Sequence, residues 1–277
     1  MPNDEQKRSG LQCYKLAHIP LARFFDLDFV KDDESPYPHM LPPIGKFAAA
    51  VGEMGIRNQD TVVVYDTAEL GIFSAPRVAW TFKAFGHERV HVLNNFKEYV
   101  QQGYPVVSGL PSIHAKEAPR QYYTKPKGPF PKGVADFDYM KQIAKGEVPD
   151  AVALDARSLY RYKGTAPEPR PGLSSGHIPN SISLQFTDLL DPKTKAFLPA
   201  EQLRRVFEDR GVTNQKPIVS SCGTGVTAAV IDTALAEAGF PDDQRMLYDG
   251  SWTEWAMRVK PDEDMIVKDE LSSFGIH

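Results

Sequence analysis

"IVSSCGTGVTAAVIDTALAEAG", residues 218–239, changes character twice. Its opening residues, with Pro217, form a short run of β-branched and small side chains and read as a buried strand. "CGTG" holds two glycines in four residues, suits neither regular element, and reads as a turn. "VTAAVIDTALAEAG" (226–239) is apolar, alanine-rich and closed by glycine, which predicts a helix capped at Gly239. Working outward, "AVALDA" (151–156), "PIVSSC" (217–222) and "RMLYDG" (245–250) read as strands of the same half. In the first half "TVVVYD" (61–66), β-branched and apolar throughout, reads as a buried strand and "RVHVLN" (89–94) as another. "APRVAWTFKAFG" (75–86) between them reads as a helix. Strands alternating with helices predict an α/β fold with wound, mostly parallel sheets flanked by helices.

The two halves share wording. "AHIPLARFFDLD" (17–28) returns as "GHIPNSISLQFTD" (176–188), and Asp66 stands almost as far beyond His18 as Cys222 stands beyond His177. One long repeat points to a duplicated domain. Between the copies "VSGLPSIHAKEAPRQYYTKPKGPFPKG" (107–133) is rich in proline, glycine and lysine and shows no period, so it reads as a surface linker. The expected division is a first domain over 1–107, a linker over 108–133 and a second domain over 134–277. "EPRPG" (168–172) has a similar composition but falls inside the second copy, as a loop.

The chain of 277 residues is 42% hydrophobic and 25% charged, enough apolar mass for two cores. A net charge of -4 gives no footprint for nucleic acid or an anionic membrane, and neither partner is expected. No apolar run approaches the ~20 residues that span a bilayer, and "MPNDEQKRSG" lacks the hydrophobic segment of a signal peptide. Two cysteines without a C-x-x-C pair exclude a disulfide framework and a structural zinc site, and no metal or organic cofactor is expected. A free thiol fits a reducing compartment.

Cys222 and Cys13 then separate. The thiolate is the nucleophilic form, and an isolated thiol has a pKa of about 8.5. A helix start directly behind Cys222 is expected to favour the anion, because the first helical N–H groups are unpaired and the dipole is positive there. Gly223 and Gly225 let the backbone curl so that N–H groups converge on the sulfur, and Thr224 and Thr227 add hydroxyl donors. Such a nest suits a thiolate and equally the larger anion of a persulfide. Cys13 has neither glycine turn nor helix start behind it and reads as a small buried hydrophobe. Tyrosine-type phosphatases use a similar strand, cysteine loop and helix, but clamp phosphate with an arginine at the loop's end. Ala228 stands there, and no arginine lies between Cys222 and Arg245, so phosphoryl transfer is set aside.

"CGTGVTAA", with "YDGSWTEWAMR" (248–258) behind it and "PEPRPGLSSGHIPNSI" (167–182) before it, resembles the two-domain rhodanese/sulfurtransferase family, and the likeness runs from "HIPLARFFDLD" to "DGSWTEWAMR". The resemblance implies two tandem rhodanese-like domains, of which only the second carries the reactive cysteine. Asp66 in the cysteine's place agrees with a non-catalytic first copy. It also implies transfer of sulfur from a small-molecule donor through a Cys222 persulfide to a thiol, cyanide or thioredoxin. Thiosulfate-preferring members carry basic residues right after the cysteine. Mercaptopyruvate-preferring members carry a small Gly-Ser-Gly run, which "CGTGVT" is similar to, with Thr224 in place of serine. By motif position, Arg161 and Arg170 in "RSLYRYKGTAPEPR" (157–170) are expected to seat the carboxylate of 3-mercaptopyruvate, with Gly223, Gly225, Val226 and Thr227 lining the loop. Asp28 and His39 match residues proposed to form a relay with the loop hydroxyl, here Thr224; Asp28 is chosen over Asp26 by alignment. His177, repeated as His18, is expected to be structural.

Two alternatives stand beside this reading: a thiosulfate sulfurtransferase, and a protein that relays persulfide sulfur to a partner for tRNA thiolation. Against the family pattern, the first copy is short of one strand and helix before its "HIP" motif, and Leu21 replaces a usual glycine there. A cytoplasmic location is expected, or a mitochondrial one if a presequence precedes the first residue.

Overall fold

A computed structural model describes residues 8–110, 120–124 and 133–269. The chain forms two compact units: one takes the chain to Lys132 together with Leu190–Pro199, the other takes Gly133–Leu189 and Ala200 onward. The linker expected over 108–133 lies largely outside the described residues.

In the first unit, helices α1 (Gly10–Leu16) and α2 (Ile44–Glu53) precede strand β1 (Val62–Val64), helix α3 (Ala75–Ala84), strand β2 (Val90–Val92) and helix α4 (Phe96–Gln101). β1 and β2 pair in parallel with Val63 opposite His91. Phe47, Val51, Val78, Ala79, Phe82 and Phe85 form the core beneath them. The strand expected to be buried is so only in part: Val62 and Val64 are half-buried and Val63 is 52% exposed. Among the described residues β1 pairs only with β2. Tyr122, from the expected linker, is buried in this core, stacked on His87 and set edge-on to Phe47. The excursion Leu190–Pro199 also belongs here: Lys195 O accepts from Ile72 N (3.3 Å) and Asn94 Oδ1 accepts from Phe197 N (2.7 Å).

His87 gives this unit a pH dependence. Its Nε2 donates to Asp60 O (2.9 Å), so its Nδ1 accepts from the Tyr122 hydroxyl (2.7 Å) and the ring is neutral. Burial holds its pKa below the ordinary 6.5. The unfolded chain therefore takes the proton first, and the stability this group contributes is full above pH 6.5 and falls away below it. Melting temperatures between about pH 7.5 and pH 5.5 should fall less steeply in His87→Gln than in the parent chain; equal slopes would reject the assignment.

The second unit runs β3 (Val134–Ala135), α5 (Phe137–Ala144), β4 (Val152–Asp155), α6 (Leu159–Tyr162), β5 (Ser181–Ser183), α7 (Ala200–Glu208), β6 (Ile218–Ser221), α8 (Ala228–Glu237), β7 (Arg245–Tyr248) and α9 (Ser251–Arg258). Its five strands are all parallel, in the order β3-β7-β6-β4-β5. β6 lies at the centre and is buried at every residue, which is why it reads as apolar and small without alternation. Met140, Ile143, Val219, Tyr248, Trp252 and Trp255 pack as the core on one side. The alanines of α8 leave room for close packing, and Gly239 ends it at φ +82° with Phe240 N bonded to Leu235 O (3.0 Å).

The shared "HIP" words become shared structure. His177 stacks on Tyr162 and His18 on Tyr14, each with ring centres 3.9 Å apart. Each histidine also pairs its backbone antiparallel with a distant valine, Val267 or Val107. The histidine reaches Tyr14 across four residues in the first unit but Tyr162 across fifteen in the second. The longer connection, which holds the "EPR" segment, is thus particular to the second copy.

Candidate active site

The strand order places the site. From β4 the chain moves to β5 on one side, and from β6 to β7 on the other. The loops that leave β4 and β6 therefore diverge, and a crevice opens between them at the carboxyl edge of the sheet, the common position for sites in open α/β sheets. Asp155 and Ser221 are register partners at that edge, so Ala156 and Cys222 begin the two diverging loops side by side, with Arg157 one residue further on.

Cys222 is 2% exposed. Its N–H donates to Ser251 Oγ (3.1 Å), and Ser251 Oγ in turn donates to Tyr248 O (2.8 Å). Its carbonyl accepts from Trp252 N (2.9 Å), while Gly223 O accepts from Thr253 N (3.0 Å) and Thr253 Oγ1 (2.7 Å). The start of α9 thus uses its otherwise unpaired N–H groups to hold the cysteine loop. Gly250, just before it, has no room for a side chain, since a Cβ there would lie 2.0 Å from Glu254 Oε2.

The loop itself departs from expectation in two ways. Helix α8 starts at Ala228, so Cys222 does not directly precede it; Gly223–Thr227 intervene, because Gly225 takes φ +77° and turns the chain before the helix begins. Among the described residues the N–H groups of Gly223, Val226 and Thr227 donate no hydrogen bond, and none reaches Cys222 Sγ. The loop therefore holds unspent donors around a buried thiol, although Val226 is itself buried. A buried donor left unmet, as at Val226, costs about 1–3 kcal/mol and is a natural place for an acceptor.

The first unit fills the equivalent place with its own chain. Asp66 is buried beyond β1, and its carboxylate accepts from Phe73 N (2.8 Å), Ser74 N (3.0 Å), Ala75 N (2.9 Å) and the Ser74 hydroxyl at the start of α3. Burial pushes this carboxyl above the ordinary carboxylate range, against the pull of those donors. The amides that stand open around Cys222 are occupied there.

Arg161 lies over the cysteine loop: a Cβ on Gly223 would be 3.2 Å from its Nη2. A side chain at 223 would therefore press on Arg161, and of the two glycines only Gly225 has the positive φ. Glu168 holds the guanidinium, accepting from Arg161 Nε (3.1 Å) and Nη2 through Oε2. Its Oε1 accepts from Arg157 Nη1 (2.8 Å). Arg157, fully buried, also forks onto Asp155 through Nε (3.1 Å) and Nη2 (2.6 Å), donates to Gly176 O (2.7 Å), and lies 4.1 Å from the centre of the Trp252 ring. Burial opposes its charge, and Asp155 and then Glu168 more than restore it, so its pKa is raised. Arg170 is exposed, and among the described residues its side chain forms no ion pair or hydrogen bond. The structure brings Arg161, Gly223 and Cys222 together and leaves Arg170 apart.

Asp28 and His39 lie in the first unit, with Asp28 Oδ1 2.9 Å from His39 Nε2. Asp26 instead turns back on its own loop and accepts from Asp28 N (3.0 Å). His39 stands at φ +61° and its carbonyl accepts from buried Arg77 (2.6 Å). Cys13 is buried in α1. Sequence reasoning missed Arg157, Glu168, Ser251 and Trp252. An acid placed between two arginines, in "RSLYRYKGTAPEPR", was the available signal for Glu168.

Comparison with known proteins fixes the class. Residues 137–258 match the Rhodanese-like domain. The chain is 41% identical over 253 residues to the thiosulfate sulfurtransferase TUM1 of Saccharomyces cerevisiae, across 88% of this chain and 82% of that one. It is 39% identical over 271 residues to a probable 3-mercaptopyruvate sulfurtransferase of Schizosaccharomyces pombe, across 96% and 87%. The crystal structure of Tum1 protein from Saccharomyces cerevisiae is similar with a TM-score of 0.85 at 38% identity, covering 97% of this chain and 89% of that one. A parallel sheet with a cysteine loop at its carboxyl edge is here the rhodanese fold, in tandem. The chain belongs to the rhodanese-type sulfurtransferase family and is a sulfurtransferase, an enzyme that moves sulfur from a small donor to a thiol acceptor. Among the described residues no helix is long and apolar enough to cross a membrane, and no cluster of His, Cys, Asp or Glu is placed to hold a metal ion.

Proposed function

We propose that the donor is 3-mercaptopyruvate and that Cys222 carries the sulfur as a persulfide. The observation that bears most weight is the single guanidinium of Arg161 over a cysteine loop that contains no basic residue of its own. One shared cation suits a donor with one carboxylate better than it suits the thiosulfate dianion. Arg161 seats that carboxylate and sets the donor's sulfur against Cys222. The cysteine thiolate attacks this sulfur and an S–S bond forms. The donor's C–S bond breaks, its electron pair leaves as the enolate of pyruvate, and the enolate takes a proton. The outer sulfur of the persulfide extends beyond Sγ toward the open N–H groups of Gly223, Val226 and Thr227, which Sγ alone does not engage. An acceptor thiolate then attacks the outer sulfur, the S–S bond breaks, and the Cys222 thiolate returns.

Asp28 and His39 are in this reading a paired acid and imidazole able to pass a proton, His39 being oriented by Asp28. Arg170, exposed as it stands, serves in this reading to draw the anionic donor in from solvent, with Arg161 alone seating its carboxylate. The test is a comparison of kcat/KM for 3-mercaptopyruvate and thiosulfate with a dithiol acceptor, following pyruvate and sulfide. Mercaptopyruvate is expected to lead by about a hundredfold. Thiosulfate leading would reject the donor assignment, and sulfur recovered only on a second protein would favour a relay.

A further inference from the structure

We propose that Glu168 sets the donor preference of this site by cancelling the charge of Arg161 and leaving it one free edge. This rests on the reading that Arg161 seats the donor's carboxylate. Glu168 has a side chain only 2% exposed, yet it touches two arginines at once. It takes Nε and Nη2 of Arg161, which leaves Nη1 without a partner in Glu168, and the Arg161 side chain as a whole is 24% exposed. Asp155, Arg157, Glu168 and Arg161 form one ladder of alternating sign. Its charges sum to zero, and its last rung is the cation that faces Gly223.

A rigid carboxylate behind the binding cation has two consequences. It fixes where Nη1 points, because a fork held at two nitrogens has no freedom left at the third. It also subtracts from the field felt by an incoming anion. Coulomb energy scales with the ligand's charge, so the penalty on a dianion is twice that on a monoanion at the same place. 3-Mercaptopyruvate carries one negative charge at neutral pH, and thiosulfate carries two. Glu168 therefore acts as a positioning residue for Arg161 and as a filter against doubly charged donors. A filter that lies under the site needs no repulsive group inside the cysteine loop.

The measurement is kcat/KM for both donors in Glu168→Gln and the parent enzyme at low ionic strength. Gln retains the length and one acceptor oxygen, and it removes one negative charge. The ratio of thiosulfate to mercaptopyruvate turnover is expected to rise about tenfold, and the rise should shrink in high salt. Glu168→Asp keeps the charge and should hold the ratio within about twofold of the parent. A fall by the same factor for both donors would make Glu168 merely structural and overturn the proposal. Should Glu168→Gln fail to fold, the parent enzyme supplies its own test. Methanethiosulfonate, a thiosulfate analogue with one charge fewer, should be used about tenfold better than thiosulfate, and equal use overturns the filter. Failure of the underlying reading looks different: Arg161→Met would then leave the KM for mercaptopyruvate unchanged, whatever Glu168→Gln does.

Discussion

Cys222→Ser releases neither pyruvate nor sulfide from any donor, and the protein gains no sulfur atom when incubated with one: that is the expected result, a loss of roughly 10⁴-fold or more. The substitution is close to isosteric at a site only 2% exposed. The loop's own anchors are backbone groups, the Cys222 N–H to Ser251 Oγ and the Cys222 carbonyl to Trp252 N, and both survive the change. Stability should therefore stay within about 1 kcal/mol of the parent, and the loss reports on chemistry. A serine hydroxyl is not ionised near neutral pH and cannot replace the thiolate as nucleophile. Cys13→Ser is the matched control: Cys13 is buried in α1 of the other unit, and activity should be retained. Sulfur retained on the protein in the Cys222 variant but lost in the Cys13 variant would reverse the assignment of the carrier.

Much of this site was legible because its signals are local. β6, the glycine turn and α8 are consecutive, and each obeys its own short-range rule: β-branching and small size for the strand, φ +77° at Gly225 for the turn, alanines and a Gly239 cap for the helix. The helix start was misplaced because Val226 and Thr227 continue the apolar pattern of α8, while the turn at Gly225 delays its hydrogen bonding to Ala228. Val63 was misjudged for a different reason. β-branching marks a strand, but burial depends on what lies over it, and that is settled by segments far away in sequence. The same holds for Leu190–Pro199, whose packing with Asn94 and Ile72 leaves no periodic trace. Glu168 and Arg157 were overlooked because charged residues in a proline-rich stretch read as solvated, and only the fold shows that they are buried against each other. Arg161 and Arg170 look alike in sequence; Glu168 holds the first beside the loop and nothing comparable holds the second.

Arg157→Ala carries the largest expected loss of stability. The arginine side chain is 1% exposed, and it lies between two carboxylates, Asp155 and Glu168, that are each 2% exposed. Taking charges out of water is costly, and the cost is offset here only because Arg157 meets Asp155 with two nitrogens and Glu168 with a third. Removing the shared cation leaves Asp155 with no counter-charge and Glu168 with Arg161 alone. Breaking a buried pair in this way costs about 3–5 kcal/mol. Contact with the Trp252 ring is lost as well, worth up to about 2 kcal/mol at a desolvated site. Against a total domain stability of about 5–15 kcal/mol, the second unit should lose a large share of its stability. Arg157→Lys does not restore it, since one ammonium cannot fork onto Asp155, reach Glu168 and bond Gly176 O from a single point. Urea unfolding followed by tryptophan fluorescence reads this directly, because Trp252 and Trp255 lie in the core concerned. A midpoint unchanged from the parent chain would mean that the ladder contributes nothing net. Sulfur transfer falls together with the fold, because Trp252, over which Arg157 lies, donates the N–H that holds the Cys222 carbonyl.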